Sequence, residues 1–343
     1  MNLLILKNKR IYVVALVLLL GLITISLQDK NMPEGEISPS GYSVNPRNMS
    51  YIDNNKNVQE YEYRFHSKQK RKIYEYTLTE TEYAFLEEVM LLEDEEYPQG
   101  LCITDEYILI SSYSDSKDKL GELKVFDKLS GAFLVSLCVD ENSHLGGVVY
   151  DGEYVWICNS NEMTLDRISY AYIKQMVCDN PGEKIDIRNQ VDMYRVKNKP
   201  SSVSCYGGYL YVASHSILSS GSMVGYIYNQ EKDRLEAKLY FEIPSKVQGV
   251  TFTEQGEVIV SVSYGRKSSS YVKKYHSLLT MSNDVKNYKE CIELPPCSEG
   301  VFYYDDNIYI LFESAAKKYL EGTDGRGESV SPLDKILMIK TMK

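Results

Sequence analysis

The chain has 343 residues, 43% of them hydrophobic, and its 38 basic and 48 acidic side chains give a formal charge of −10 and a pI near 5.1. That apolar share supports a sizeable packed core, and acidity spread without a basic stripe argues against a nucleic-acid-binding surface. Seven cysteines, odd in number and without CxxC or Cys/His spacing, offer no zinc site and read mostly as buried thiols acting as small hydrophobes.

In chain order, residues 1–10 are a basic terminus carrying Lys7, Lys9 and Arg10, followed at 11–27 by the uncharged run IYVVALVLLLGLITISL. Basic flank and apolar run together predict a transmembrane signal anchor, uncleaved in preference to a cleaved signal, with the remainder of the chain on the extracytoplasmic side. The QDKNMPEG stretch that follows has neither a small-x-small cleavage site nor a cysteine for lipid attachment. Residues 28–59 are rich in Asn, Ser, Pro, Gly and charge and read as a flexible tether. From residue 60 tyrosines and apolar alternation return, ending at 83–92 in YAFLEEVMLL, which reads as the outermost strand of a sheet.

From about residue 95 a pattern recurs five times: PQGLCITDEYILISSYS (98–114), LGGVVYDGEYVWICNS (145–160), SSVSCYGGYLYVASHS (201–216), QGVTFTEQGEVIVSVSYGR (248–266) and EGVFYYDDNIYILFES (299–314). With Gly100, Gly147, Ser202, Gly249 and Gly300 as equivalents, the steps are 47, 55, 47 and 51 residues. Each copy is a β-hairpin started by a small residue, and LKVFDKLSG with FLVSLCV adds two more strands to the first. Four antiparallel strands in a unit of this period describe a propeller blade. The last unit lacks a fourth strand, which the strand at 83–92 can supply. The expected fold is therefore an all-β, single β-propeller of five blades closed by residues 60–94 onto 95–343; six blades would require more strands from 61–79.

In such a blade the residues before the first strand and after the second share one face around the axis. This brings together Gln99, His144, Gln248 and Glu299 from the first set, and Tyr113, Asn159, His215, Tyr264, Arg266 and Glu313 from the second. Two readings of these residues stand side by side: a polar pocket for a ligand, or side chains capping backbone amides. Arg266 suits a carboxylate or phosphate but equally a salt bridge to Glu299 or Glu313. Tyrosines at strand exits can stack on a sugar or peptide, Trp156 is read as core, and Lys317 and Lys318 as solvated. The Gly- and Ser-rich loop after Ser314 leaves from the same face and can fold over the mouth as a lid. No GxSxG, HExxH or phosphate-cradling loop is present, and no metal or cofactor is expected.

The motifs PQGLCIT, HLGGVVYDGEYVWI, VQGVTF, SVSYGR and FESAAKKY, in this order, resemble a group of uncharacterised, exported or membrane-anchored β-propeller proteins of Gram-positive bacteria, and more loosely NHL and lactonase-type propeller repeats. The resemblance implies an extracytoplasmic propeller with a shared rim and brings no activity with it; the acid and amide metal ligands of the lactonase type have no counterpart that can be located here. The expectation is a membrane-anchored module that binds a small-molecule, carbohydrate or protein ligand through its rim. The alternative is a carbohydrate or lactone hydrolase using Glu299, Glu313 and His144.

Overall fold

The computed structural model describes residues 83–86, 96–116, 120–140, 143–330 and 332–340; the 11–27 run, the tether and the 61–79 stretch lie outside the described residues. Among the described residues no helix is long and apolar enough to cross a membrane.

After β1 (Tyr83–Leu86), the first blade is built from β2 (Glu96–Ile103), β3 (Tyr107–Ser114), β4 (Gly121–Asp127) and β5 (Phe133–Asp140), each antiparallel to the one before. The second comprises β6 (Val148–Tyr150), β7 (Tyr154–Asn159), β8 (Thr164–Ser169) and β10 (Asp192–Arg195). Between β8 and β10 the chain inserts helix α1 (Tyr170–Asp179) and β9 (Lys184–Asp186), which pairs in parallel with β5 as a fifth strand of the first sheet. This insertion is why the second step of the repeat is the longest. The third blade is β11 (Ser202–Tyr206) to β14 (Arg234–Ile243), with β12 (Tyr209–Ser214) and β13 (Gly221–Asn229) between. The fourth is β15 (Val247–Phe252), β16 (Val258–Val262), β17 (Ser270–Tyr275) and β18 (Glu290–Leu294), with α2 (Leu278–Asn283) before the last strand.

The fifth blade is completed from both ends of the described chain. It contains β19 (Ser298–Tyr304), β20 (Asn307–Phe312) and β21 (Ile336–Lys340), and β1 lies antiparallel on β21 from Tyr83 opposite Ile339 to Leu86 opposite Ile336. The architecture is thus a five-bladed β-propeller with the outer strand of its last blade supplied from upstream. Pairing in this way covers the outer edge of β21 with β1.

Five hydrophobic clusters hold the ring, one between each pair of neighbouring blades. Alternation along the strands feeds both sides at once: on β2, Leu101 and Ile103 face the fifth blade while Cys102 faces the second. Trp156 is fully buried between the second and third blades. The cysteines in the described residues are all free, with Cys178 and Cys291 exposed.

The small residues that mark each repeat meet at the axis. A Cβ on Gly100 would lie 2.8 Å from Val148 N, one on Gly147 2.6 Å from Val203 N, one on Gly249 2.7 Å from Val301 N, and one on Gly300 2.9 Å from Leu101 N. Each inner strand therefore touches the next backbone to backbone. At the remaining position the Ser202 hydroxyl accepts a hydrogen bond from Val250 N across the same junction, at 3.1 Å.

Candidate functional site at the mouth of the ring

Local backbone irregularity sets the side chains at this end of the ring. The pairing of β2 with β3 shifts register between Pro98 and Gly100, that of β15 with β16 between Val247 and Gly249, and that of β19 with β20 between Ser298 and Val301. Gln99, Gln248 and Glu299 are the residues at these bulges, where an extra residue re-aims its side chain. Lys246 and Cys297, three positions before Gly249 and Gly300, both hold left-handed backbone, at φ 65° and 64°.

At the junction of the fifth and first blades these irregularities bring two carboxyls into contact. Glu299 is 5% exposed and Glu313, just past β20, is 9% exposed, and the two are hydrogen-bonded to each other. Gln99, 7% exposed, donates from Nε2 to Glu313 Oε2 at 3.0 Å and to Pro98 O at the same distance. Tyr319 donates its hydroxyl to Glu313 as well. Neither carboxyl forms an ion pair among the described residues.

Burial, followed by the charge of Glu313, pushes the Glu299 carboxyl well above the ordinary range. Burial also raises Glu313, but the hydrogen bonds from Tyr319, Gln99 and Glu299 and the nearby Lys318 charge oppose it. Burial raises both carboxyls, and the charge of Glu313 raises Glu299 further, so the pair as a unit binds a proton more readily than two isolated carboxyls do.

Above the pair lies a shell of aromatic rings. Tyr97 and Tyr113 stack at 4.8 Å between centroids, Tyr319 meets Tyr97 edge-on at 5.8 Å, and His144 packs on Tyr113 at 4.1 Å. Desolvation, then the Lys318 charge, lowers the His144 pKa, although the residue as a whole is exposed.

The β20–β21 connection covers this shell. It begins with α3 (Lys317–Glu321), and Lys318 points inward. Its Nζ lies 4.1 Å from the Tyr97 ring centroid, 5.6 Å from that of Tyr113 and 5.4 Å from that of Tyr319, and donates to Asp115 Oδ2 at 2.7 Å. The reading of Lys318 as solvated is thereby corrected: its side chain is 18% exposed, because cation–π attraction and Asp115 together offset its desolvation. Lys317 is exposed, as its position suggested.

Arg266 also departs from expectation. Its guanidinium forms a two-pronged bond to Asp324 of the covering loop, at 2.7 and 2.5 Å, donates to Gly327 O at 2.6 Å, and lies 4.5 Å from the Tyr319 ring. It pairs with neither Glu299 nor Glu313, since the planar fork finds a carboxylate of matching geometry in the loop.

The remaining candidates lie apart from the carboxyl pair. Asn159 is buried, donating to Asp140 at 2.5 Å and Asp166 at 2.9 Å, and burial pushes the Asp166 carboxyl up to about 6. His215 Nδ1 is 3.2 Å from Val247 O, and Tyr264 is exposed beneath the Lys246 ammonium. Tyr97, Asp115, Lys318, Tyr319 and Asp324 were not singled out as binding residues from the sequence. The only signal for Tyr97 was its place just before the first repeat, and for the others their positions in loops outside the repeated hairpins. Among the described residues no group of His, Cys, Asp and Glu is arranged to hold a metal ion.

No protein-family model matches the chain, and no curated protein matches it in sequence. Solved structures with a similar course of chain include the hydrazine synthase of Kuenenia stuttgartiensis, at 12% identity and TM-score 0.36, covering 62% of this chain; the chain spans 55% of that protein's length. A PQQ-bound aldose sugar dehydrogenase from Streptomyces coelicolor is similar at 11% identity and TM-score 0.46, over 76% of this chain and 98% of that one. A gluconolactonase from Xanthomonas campestris is similar at 8% identity and TM-score 0.40, over 77% and 91%.

Proposed function

We propose that this protein is a membrane-anchored, extracytoplasmic β-propeller that binds a polar ligand at the mouth formed by Gln99, Tyr97, Tyr113, Glu299 and Glu313. The observation that supports this reading is the buried Glu299–Glu313 pair. Two carboxyls taken out of water without an ion-paired partner weaken the fold, and such groups collect where a ligand is bound or a reaction carried out. The aromatic shell offers flat apolar contact, and Gln99 and Glu313 offer directed polar groups, the usual composition of a small-molecule pocket. Anchoring rests on the basic flank and apolar run at 7–27.

A second reading, hydrolysis, is favoured by one feature: two buried carboxyls of raised proton affinity stand side by side, the arrangement from which an acid and a base can be drawn. Glycosidase carboxyls stand about 5–9.5 Å apart, with the sugar or a water between them. Hydrogen-bonded carboxyls leave no such gap, so a lactone fits this reading better than a glycoside. Thermal-shift screening of the detergent-solubilised full chain against sugars, lactones, peptides and amines tests both readings. A ligand that stabilises the wild type but not Gln99→Leu, without being turned over, is the expected result. Ligands that stabilise both proteins equally would place binding elsewhere, and turnover lost in Glu313→Gln would establish the hydrolase.

A further inference from the structure

The covering loop places a cation of its own inside the mouth. Lys318 is held as a bound ammonium would be: three tyrosine rings within 6 Å of Nζ, the nearest at 4.1 Å, and one carboxylate accepting an N–H at 2.7 Å. Glu313 is near enough for the Lys318 charge to act on it. Cages of this composition are how proteins bind alkylammonium groups.

The loop that supplies the cation is fastened mainly by separable polar contacts. Asp324 and Gly327 O are held by Arg266, Tyr319 by Glu313, and Val330 N donates to Arg266 O at 2.9 Å. Left-handed glycines at Gly322, Gly325 and Gly327, with φ of 63°, 78° and 81°, give it turning points that cost little to reset. The apolar residues Ala315 and Ala316, which precede Lys317, are buried and mark where the loop is rooted.

Resting on the ligand-binding reading above, we propose that the Tyr97–Tyr113 pair with Asp115 is a site for a primary ammonium group, and that Lys318, with Tyr319 beside it on the same helix as a third wall, occupies it until such a ligand displaces the loop. Asp115 decides for a primary over a quaternary ammonium, because it accepts an N–H that a quaternary nitrogen does not have. The same chemistry is carried by a free alkylamine and by the lysine side chain of a peptide.

Lys318→Ala keeps Cβ, so n-propylammonium copies the atoms removed. The expected result is binding to Lys318→Ala at least tenfold tighter than to the wild type, with tetramethylammonium and 1-propanol showing no such gain, and loss of the gain in Tyr97→Leu/Lys318→Ala. In the wild type, titration with n-propylammonium is expected to raise deuterium uptake across residues 317–329 by displacing Lys318. A lysine-containing tripeptide run alongside distinguishes the sources: tighter binding than propylammonium points to a peptide, weaker to a free amine. Equal response to 1-propanol, or a wild-type loop whose exchange stays unchanged at saturating amine, overturns the proposal. The wild-type measurement stands if Lys318→Ala does not fold. A sugar or lactone that binds in a Gln99-dependent manner while amines do not would remove the ammonium assignment and leave the ligand-binding reading intact.

Discussion

The Glu299–Glu313 pair carries pH sensitivity at the mouth, and Glu299 is the member raised by its neighbour's charge as well as by burial. A carboxyl whose folded pKa lies above its unfolded value of 4.5 binds its proton more tightly in the native state, so the native state is favoured fully below about pH 4.5 and loses that advantage as pH rises toward the folded pKa. Glu299→Gln keeps the shape and a donor toward Glu313 but cannot ionise. Urea unfolding of the two proteins should therefore show a stability difference that moves in favour of the variant between pH 5 and pH 8, by about 1.4 kcal/mol for every tenfold difference in proton affinity between the folded and unfolded chain. Parallel curves would show that Glu299 titrates normally. Glu313→Gln is a different case, since one acceptor oxygen becomes a donor facing the groups that donate to Glu313. It should destabilise by about 1–3 kcal/mol at neutral pH and loosen the loop through Tyr319.

Among the elements, the inner strands tolerate least change. An alanine at Gly147 would set its Cβ 2.6 Å from Val203 N and 2.8 Å from Ser202 Cα, atoms of a backbone that is itself packed on the next blade. Overpacking against main chain has no flexible side chain to absorb it, so Gly147→Ala should cost about 3 kcal/mol and lower Tm by roughly 6–12 °C. Ser202→Ala, which removes only the acceptor for Val250 N, should cost about 1 kcal/mol. A thermal melt in which the two variants behave alike would contradict the crowding described for Gly147. The same crowding explains why the repeat was legible in the sequence: five backbones around a narrow axis exclude a larger side chain at one place in every blade, and the apolar alternation on both sides follows from burial between neighbours. The insertion of α1 and β9 showed only as a longer step, because YAYIKQMVCD is as rich in β-formers as in helix-formers. Gln99, Glu299 and Glu313 could be placed on one face from their positions in the hairpin. Lys318, Tyr319 and Asp324 could not, since a loop that occurs once has no equivalent position elsewhere to locate it.

For the whole molecule, the described residues that close the last blade from upstream are the four of β1, Tyr83–Leu86. Ala84 and Leu86 of β1 are buried in the cluster between the fifth and first blades, and β1 pairs the outer edge of β21. A chain starting at Asp94 should lose about 3 kcal/mol, and with it roughly 6–12 °C in Tm, and should aggregate through the freed edge. An unchanged melting temperature would mean that the ring is closed by other means. The strand that closes the ring also leads back toward the tether and the apolar run at 11–27. If that run holds the chain in a membrane, as proposed, β1 is the first described element between the anchor and the ring, and it lies at the outer edge of the blade whose inner hairpin carries Glu299 and whose β20–β21 connection is the covering loop. Under that proposal, tension carried through β1 would be felt first by the blade that holds the carboxyl pair, and the point of attachment would be a mechanical input to the mouth as well as a leash.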